Sequence, residues 1–402
     1  MTSARPAAAT ASATAARRRK RRALDKSGYP LGLRYGAGPG DGPVQGTGPG
    51  SIILESPCLP HTERTDSPWV AGSVTCGNNL SGRPLVRGGI TEESEVLSLE
   101  YRSLGRTGLQ VSVIGLGALE VGRPWGIRGE GDTGQPPSES EAIEFLNHVL
   151  DHGINFIDTA AAYWASEERI GKALSSRRDE FILATKWGEW CDESGSVYDY
   201  SPGAMWKFLE ESLRKLRTDV IDVYQIHSAP LEVIQRGDAL AEMQKAREQG
   251  KVRFLGCSCG EQEALAAIEC GGFDTIQVSY SLLDLTMEER VLPAASNAGV
   301  GVIIKDGLAA GRLTQKVQRL GEEHAELKHR VEVFRDLAGV WGMSLPEMAL
   351  RFVRANAAVS TIIVGTRSRI HLAENLRAAE GAPLSEEQMA TLRRYLSAPQ
   401  EA

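Results

Sequence analysis

The sequence lacks several features that would place the protein in a specialised class. No continuous apolar segment approaches the roughly 20 residues of a membrane-spanning helix, so we expect no membrane association. No apolar core of a secretory signal is present near the start. The formal charge of -7 gives no reason to expect a nucleic-acid partner for the folded part. The composition, 42% hydrophobic and 24% charged, is typical of a soluble globular protein.

Cysteine is scarce and scattered. The absence of a paired framework predicts reduced thiols in a cytosolic setting, and the six residues are Cys58, Cys76, Cys191, Cys257, Cys259 and Cys270. Two of them form a C-x-C pair, Cys257 and Cys259. No His/Cys pair at ligand spacing completes the three or four ligands that a tetrahedral site needs, so we predict no metal site.

Residues 1–98 lack any sustained hydrophobic periodicity and are rich in Ala, Gly, Pro, Ser and Thr. This composition predicts a disordered, low-complexity extension. The basic run RRRKRR (Arg17 to Arg22) leaves three interpretations open: an organelle transit peptide, a basic tail for the nucleus or nucleic acid, and a passive extension. We favour a passive extension on a cytoplasmic protein, with organelle import as the alternative.

From Leu99 onward, short apolar runs alternate with amphipathic segments. Strands buried on both faces that alternate with helices indicate a parallel sheet. The eight candidate strands span residues 111–117, 154–158, 181–186, 220–227, 252–258, 275–280, 300–305 and 360–365. Eight such units predict a closed (β/α)8 TIM barrel over residues 99–399. An open doubly wound sheet is the alternative, but the first strand ends GLGALE without the glycine fingerprint that such a sheet requires.

Local signals add detail to this barrel. Ser138 with Glu141 predicts a capping box, and Gly153 predicts the end of the same helix. The tripeptide R-T-G between two short apolar runs predicts a tight N-terminal hairpin that plugs the barrel floor. The segment SEEQMATLRRYL (385–396) predicts an extra C-terminal amphipathic helix with a serine cap.

Polar residues end three successive predicted strands. Asp158, Lys186 and His227 end the second, third and fourth, and Tyr163 lies in the loop after the second. Because the C-terminal strand ends of a barrel carry its chemistry, we expect these side chains to meet across the mouth. Singly, each has a structural interpretation, such as a helix cap, a surface lysine or a core histidine. Together they suit the protonation of a carbonyl oxygen, because an adjacent ammonium lowers the pKa of a phenol.

At this point the sequence resembles the aldo-keto reductase family, from about Glu100 to Pro399. The resemblance lies in the segments YRSLGRTGLQVSVIGLGAL, DHGINFIDTAAAYWASEERIGKAL, DVYQIHSAP, GCSCG and VGTRSRIHLAENL. It implies an NAD(P)H-dependent oxidoreductase that reduces, or reversibly oxidises, small aldehydes, ketones or sugar carbonyls by hydride transfer. We expect a small-molecule carbonyl substrate and a monomer or weak homo-oligomer.

The resemblance also implies a role for each matching residue. Asp158, Tyr163, Lys186 and His227 would form a catalytic tetrad, with Tyr163 as general acid in reduction and general base in oxidation. Eight further positions would contact the cofactor between the nicotinamide amide and the adenine: Ser258, Gln277, Lys305, Gly365, Thr366, Arg367, Glu374 and Asn375.

Some positions depart from the family pattern. Cys259 stands where the family has an asparagine, so one hydrogen bond to the nicotinamide amide would be lost or replaced. Lys305 stands where an aromatic ring often stacks on the nicotinamide; its apolar stem could cover one face, and its charge would favour the reduced cofactor. Arg367 and Arg369 suit a phosphate, so NADP(H) is favoured over NAD(H), although His371 replaces an arginine of some relatives.

Other functions stay open at this stage. A cofactor-binding regulatory or redox-sensing subunit with little turnover is the main alternative, and the intact tetrad argues against it. A Schiff-base enzyme would need an uncharged lysine, whereas Asp158 would keep Lys186 charged. The loop 123–140 is long and Gly-rich, which predicts movement over the cofactor. Four loop tryptophans predict an aromatic-walled pocket: Trp125, Trp164, Trp187 and Trp190.

Overall fold

The structure, a computed structural model, describes residues 99–127, 135–192 and 195–397. The extension predicted over residues 1–98, with its basic run, lies outside the described residues. Residues 128–134, in the middle of the loop that we predict to move, lie outside them as well.

The strands form one barrel and two small hairpins. In chain order they are β1 (Tyr101–Ser103), β2 (Gln110–Ser112), β3 (Ile114–Gly117), β4 (Phe156–Asp158), β5 (Ile182–Trp187), β6 (Glu189–Asp192), β7 (Gly195–Tyr198), β8 (Ile221–His227), β9 (Val252–Ser258), β10 (Thr275–Ser279), β11 (Gly301–Lys305) and β12 (Val359–Gly365). Eight of them close into a barrel in the order β10-β11-β12-β3-β4-β5-β8-β9, and every neighbouring pair is parallel. All eight candidate strands and the (β/α)8 architecture are therefore confirmed.

Helices follow most of the barrel strands and cover its outer surface. Their bounds are α1 (Leu119–Gly122), α2 (Glu139–Asp151), α3 (Ser166–Leu174), α4 (Pro202–Leu216), α5 (Leu231–Arg236), α6 (Asp238–Glu248), α7 (Glu261–Glu269), α8 (Val291–Ala298), α9 (Ala325–Val340), α10 (Leu345–Arg354), α11 (Arg369–Glu380) and α12 (Glu386–Ser397). Within the described part of the chain, none of them combines the length and apolar character that crossing a membrane requires.

The predicted caps and helix ends are present. The Ser138 hydroxyl accepts a hydrogen bond from the Glu141 amide, and the Glu141 carboxylate accepts one from the Ser138 amide. Gly153 follows the end of α2 with φ 81°, a left-handed conformation that glycine adopts without steric cost. The predicted C-terminal helix is α12, where Ser385 and Gln388 exchange the same pair of side-chain-to-amide bonds.

The N-terminal hairpin β1–β2 closes the bottom of the barrel. Gly105–Thr107 forms a short 3-10 turn between the two antiparallel strands. Leu104 and Val111 from this hairpin are fully buried and pack in one apolar cluster with the interior barrel residues Phe156 and Ile303. The apolar side chains of the hairpin therefore fill the floor, as the sequence predicts.

Alternation along the strands directs the polar residues inward. On β5, Ala184 packs in the interior cluster, and Lys186, two residues further on, points to the same side. On β4 the same relation connects Phe156 of the interior cluster with Asp158. His227 ends β8, beside β5 in the sheet. Neighbouring strands thus bring these three side chains to one end of the barrel.

Candidate active site

A buried ion pair lies at the centre of the barrel mouth. Lys186 Nζ lies 2.5 Å from Asp158 Oδ2, and both side chains are almost completely buried. The same ammonium donates to the Thr159 carbonyl at 2.9 Å and to the Tyr163 hydroxyl at 3.3 Å. The lysine therefore connects the carboxylate to the phenol.

The second oxygen of Asp158 is held by two amide side chains. Gln225 Nε2 and Gln277 Nε2 donate to Asp158 Oδ1 at 3.0 and 2.8 Å. Ser258 Oγ in turn donates to Gln277 Oε1 at 3.2 Å. The carboxylate consequently has acceptor contacts on both oxygens and cannot rotate without breaking one of them. Sequence reasoning missed Gln225, although its position two residues before His227 on β8 is a signal that it faces inward.

His227 completes the group of four. Its ring meets the Tyr163 ring edge-on, with centroids 5.7 Å apart and an interplanar angle of 82°. Its Nδ1 lies 3.0 Å from Glu189 Oε2, although this contact is not aligned as a hydrogen bond. The structure therefore brings together all four residues that the sequence proposed for the tetrad, and adds a second carboxylate.

Burial dominates the protonation of the site. Burial raises the pKa of Tyr163 well above its usual value, and the negative charges of Asp158 and Glu189 act in the same direction. The sequence-based argument, that the ammonium lowers this pKa, therefore has the wrong net sign. Burial also lowers the pKa of Lys186, against the opposing effect of Asp158. The phenol thus keeps its proton over the physiological range.

Tight backbone packing fixes the loop that carries Tyr163. The Tyr163 amide donates to the Ala160 carbonyl at 3.0 Å, which closes a turn after β4. Gly122, the last residue of α1, lies against this turn. A Cβ at that position would come within 2.0 Å of the Tyr163 carbonyl oxygen and 2.4 Å of the Ser166 amide. Only glycine permits this approach, so α1 directly supports the tyrosine.

A cavity of about 670 Å³ extends from the tetrad over the ends of β11 and β12. Gly117 and Gly365 pair in register at its base. A Cβ on Gly365 would meet no atom closer than 4.0 Å, so the base is open backbone. The site residues that line the cavity are Asp158, Tyr163, Lys305, Gly365, Glu374 and Asn375. An elongated ligand with one end at Tyr163 and the other at α11 fits this arrangement.

The profile of the aldo/keto reductase family matches residues 113–396, most of the described barrel. The chain belongs to the aldo/keto reductase family. Together with its oxidoreductase relatives, this membership makes the protein an oxidoreductase that interconverts carbonyls and alcohols by hydride transfer with a nicotinamide cofactor.

Relatives with stated activities differ in substrate. L-galactose dehydrogenase of Arabidopsis thaliana is 30% identical over 70% of this chain and 88% of its own length. The NADH-specific methylglyoxal reductase of Escherichia coli is 25% identical over 68% of this chain and 92% of its own. Among solved structures, the holo form of aldo-keto reductase AKR11C1 from Bacillus halodurans has a TM-score of 0.64 and 27% identity, covering 76% of this chain and 99% of that one.

The two departures from the family pattern, Lys305 and Cys259, lie close to Ser258 at the end of β9. Lys305 Nζ donates to Ser258 Oγ at 3.3 Å, so its ammonium reaches the hydroxyl that also bonds Gln277. Cys259 is buried in the apolar cluster between the barrel and the helices that surround it. Its thiol lies 3.9 Å from the Cys257 carbonyl oxygen. The cation therefore lies beside Ser258 and Gln277, which we predict to contact the nicotinamide amide, and the thiol packs into the core.

The predicted phosphate segment lies at the start of α11. Thr366 is buried, and its hydroxyl accepts a hydrogen bond from the Ser368 amide at 3.1 Å. Arg367 is exposed and donates to the Gln135 carbonyl at 2.5 Å. Arg369, also exposed, lies 3.4 Å from Glu144. Both guanidiniums therefore lie at the protein surface and contact α2 or the segment before it.

The aromatic pocket is only partly confirmed. Trp125 lines the cavity, whereas Trp187 is fully buried in the outer core and stacks on Tyr224 with centroids 6.4 Å apart. The prediction is wrong for Trp187, because it follows the inward-facing Lys186 and strand alternation turns it outward. Trp164 and Trp190 are both more than a third exposed, on the loop before α3 and on β6.

The β6–β7 hairpin is the main feature that sequence reasoning missed. It contributes Glu189, whose Oε1 accepts a hydrogen bond from Ser196 Oγ at 2.5 Å. It also contributes Cys191, whose thiol lies 2.6 Å from an Arg123 guanidinium nitrogen. Arg123 in turn lies over the Trp125 ring, 5.0 Å from its centroid. The Ser-Gly dipeptide at 194–195 is a turn signal that could have indicated this hairpin. No cluster of His, Cys, Asp or Glu suited to a metal occurs among the residues described.

Proposed function

We propose that Tyr163 is the proton donor in carbonyl reduction and the proton acceptor in alcohol oxidation. The observation that carries this proposal is the contact of one buried ammonium with both Asp158 Oδ2 and Tyr163 Oη, at 2.5 and 3.3 Å. A bound nicotinamide supplies the hydride. The phenol, kept protonated by burial, has its proton ready for a carbonyl oxygen, and His227 orients the substrate.

The ion pair prepares the site for the charge that follows proton donation. When Tyr163 gives up its proton, a phenolate is left in a buried site, which is costly unless a cation lies beside it. Lys186 provides that cation at 3.3 Å. Burial lowers the pKa of Lys186 and Asp158 opposes this effect, while Gln225 and Gln277 hold Asp158. A carbonyl substrate would therefore be reduced with its oxygen at the Tyr163 hydroxyl.

For the cofactor we propose NADP(H) in preference to NAD(H). Ser258 and Gln277 would hold the nicotinamide amide, with Lys305 beside them. Gly365 would leave room for the pyrophosphate, and Glu374 and Asn375 line the far end of the cavity. The exposed guanidinium of Arg367 suits a phosphate on the adenosine better than a bare ribose, with Thr366 and Arg369 adjacent to it. The NADH-specific relative in Escherichia coli has the opposite cofactor choice.

The substrates that we propose are small aldehydes, ketones or sugar carbonyls. The relatives that act on L-galactose and on methylglyoxal suggest this size range. We also propose a catalytic unit of residues 99–399 that follows an extension of residues 1–98. The free thiols of the described cysteines suit a cytoplasmic location, and we propose a monomer or weak homo-oligomer.

The experiment is a panel of carbonyl compounds with purified protein, measured with NADPH and with NADH. Tyr163→Phe should lower kcat by about 10²- to 10⁴-fold, because the proton donor is lost. Tyr395→Phe is the matched control, since that tyrosine is half exposed on α12. Cofactor binding without turnover on the whole panel would favour a regulatory or redox-sensing subunit instead. A preference for NADH would refute the proposed cofactor choice alone.

A further inference from the structure

The chain after β11 lines the large cavity with cationic side chains. Lys316 and Arg319 belong to the short 3-10 segment Gln315–Arg319, and Arg335 belongs to α9. Lys316 lies 3.9 Å from Glu120 of α1, so it already faces a carboxylate. The two guanidiniums of this wall are therefore the groups to consider for an anionic ligand.

Arg335 has a buried donor that lacks an acceptor. Its side chain is 35% exposed, and Nη1 lies 3.9 Å from Glu332 Oε1 on the same helix. Because the Glu332 side chain is 55% exposed, solvent screens this ion pair. The other terminal nitrogen, Nη2, is buried and has no hydrogen-bond partner in the described part of the chain. Leaving a buried donor unpaired is costly, and a guanidinium can only donate, so an anion bound in the cavity would satisfy it.

The wall that α11 contributes to the cavity is different. The side chains with which this helix lines the cavity are Ile370, His371, Glu374 and Asn375. The two arginines at its start are exposed and already in contact with other groups, because Arg367 donates to the Gln135 carbonyl and Arg369 lies 3.4 Å from Glu144. The guanidiniums that line the cavity therefore come from the chain after β11, and those of the predicted phosphate segment lie at the surface.

We propose that Arg335, assisted by Arg319, binds the phosphate on the adenosine ribose that distinguishes NADP(H) from NAD(H). The cavity has Tyr163 at one end, so a dinucleotide with its nicotinamide there extends its adenosine toward α11 and α9. A guanidinium binds a phosphate through two parallel N–H bonds, which would also give Nη2 its missing acceptor. Arg335 would then determine the cofactor specificity, and Arg367 would not. This inference rests on the proposed function, because it names the residues that select the cofactor of the same site.

The first measurement uses adenosine fragments and needs no turnover. Isothermal titration calorimetry of the full-length protein gives its affinities for adenosine 2′,5′-bisphosphate and adenosine 5′-monophosphate, which differ only in the phosphate of interest. The wild type should bind the bisphosphate about 10- to 100-fold more tightly, the range that hydrogen bonds to a charged group provide. In Arg335→Gln this difference should fall to a few-fold, while the affinity for the monophosphate stays unchanged.

Two further variants separate phosphate recognition from a general loss of charge or stability. Arg330→Gln removes the same charge from the same helix, where the guanidinium lies over the Phe334 ring, 6.0 Å from its centroid, and it should keep the wild-type difference between the fragments. Arg335→Lys keeps the charge but loses the planar two-bond geometry, so it should retain only part of the difference. Thermal unfolding of Arg335→Gln should resemble that of Arg330→Gln, since a screened surface ion pair contributes little to stability.

The second measurement compares NADPH with NADH, by the fluorescence of each bound cofactor. A preference for NADPH that persists in Arg335→Gln would overturn the inference, and its loss in Arg367→Gln would return the phosphate to the segment before α11. Either result leaves the proposed cofactor choice standing. A wild type without that preference would refute the cofactor choice and the inference with it. Full turnover by Tyr163→Phe would instead refute the proposed mechanism alone, because binding of the adenosine fragments does not involve the tetrad.

Discussion

Replacing Asp158 by asparagine tests the buried ion pair most severely. Asp158→Asn keeps one oxygen that can accept from Gln225 and Gln277. It replaces the oxygen that accepts from Lys186 by an NH2 group, which cannot accept. It leaves the ammonium of Lys186 buried without a counter-ion, since that side chain is fully buried in the structure. We therefore expect a loss of stability from desolvated charge, and little from lost packing.

The magnitude follows from the burial of both partners. Removing one member of a buried ion pair costs about 3 to 5 kcal/mol. With an unfolding entropy of about 2.1 cal/mol/K per residue, a barrel of about 300 residues should lose about 5 to 8 °C in Tm. The double variant Asp158→Asn/Lys186→Met removes the stranded charge as well. It should recover at least about 2 kcal/mol of that loss, although the Thr159 carbonyl then lacks its donor.

The assay is thermal and urea unfolding of both variants beside an exposed control pair. Asp238→Asn interrupts the Arg236–Asp238 ion pair, which is largely solvent-exposed, and should change stability by less than about 1 kcal/mol. The reasoning fails if Asp158→Asn is as stable as this control. It also fails if the double variant is no more stable than the single one.

Three further predictions concern the rest of the site. Gly122→Ala should lower the free energy of unfolding by about 1 to 3 kcal/mol and lower kcat, because the new methyl group would lie 2.0 Å from the Tyr163 carbonyl oxygen. Gly203→Ala is the control, since its methyl group would meet no atom within 4 Å. Thermal unfolding of the two variants compares their stabilities. Lys305→Tyr should weaken the preference for reduced over oxidised cofactor, because the positive charge is lost. Fluorescence titration measures the affinity for each cofactor form, and affinities unchanged from the wild type for both forms would refute this prediction. Contacts hold the pKa of Glu189 at about 2 although burial opposes them, so its contribution is present above the ordinary value of 4.5 and is lost as pH falls toward 2. Acid unfolding should therefore be less steep over that range in Glu189→Gln, and parallel curves would contradict this.

The barrel could be predicted from sequence because its strands are short, apolar and separated by helices with clear caps. The positions of Asp158, Lys186 and His227 followed from the same rule, since consecutive parallel strands end at the same edge. The eighth strand and the glycine at its end were found in the same way. Local sequence patterns are therefore sufficient to predict the parts of the structure that repeat with a fixed period.

The remaining features depend on contacts between distant residues. Glu189 reaches His227, 38 positions later, only because the β6–β7 hairpin folds over the mouth, and no periodic signal marks that contact. Burial raises the pKa of Tyr163, and the sequence motif does not show how deeply this side chain is buried. The outward orientation of Trp187, in contrast, could have been predicted from strand alternation, because the preceding residue, Lys186, faces inward.

The role of Tyr163 is tested most directly by single-turnover hydride transfer, followed by the loss of reduced-cofactor fluorescence after mixing with a carbonyl substrate. In Tyr163→Phe, with cofactor affinity unchanged, the rate should fall by about 10²- to 10⁴-fold. In Tyr395→Phe it should equal the wild-type rate. A Tyr163→Phe rate within about threefold of wild type, small beside the contribution of a general acid, would contradict the assignment of Tyr163 as proton donor.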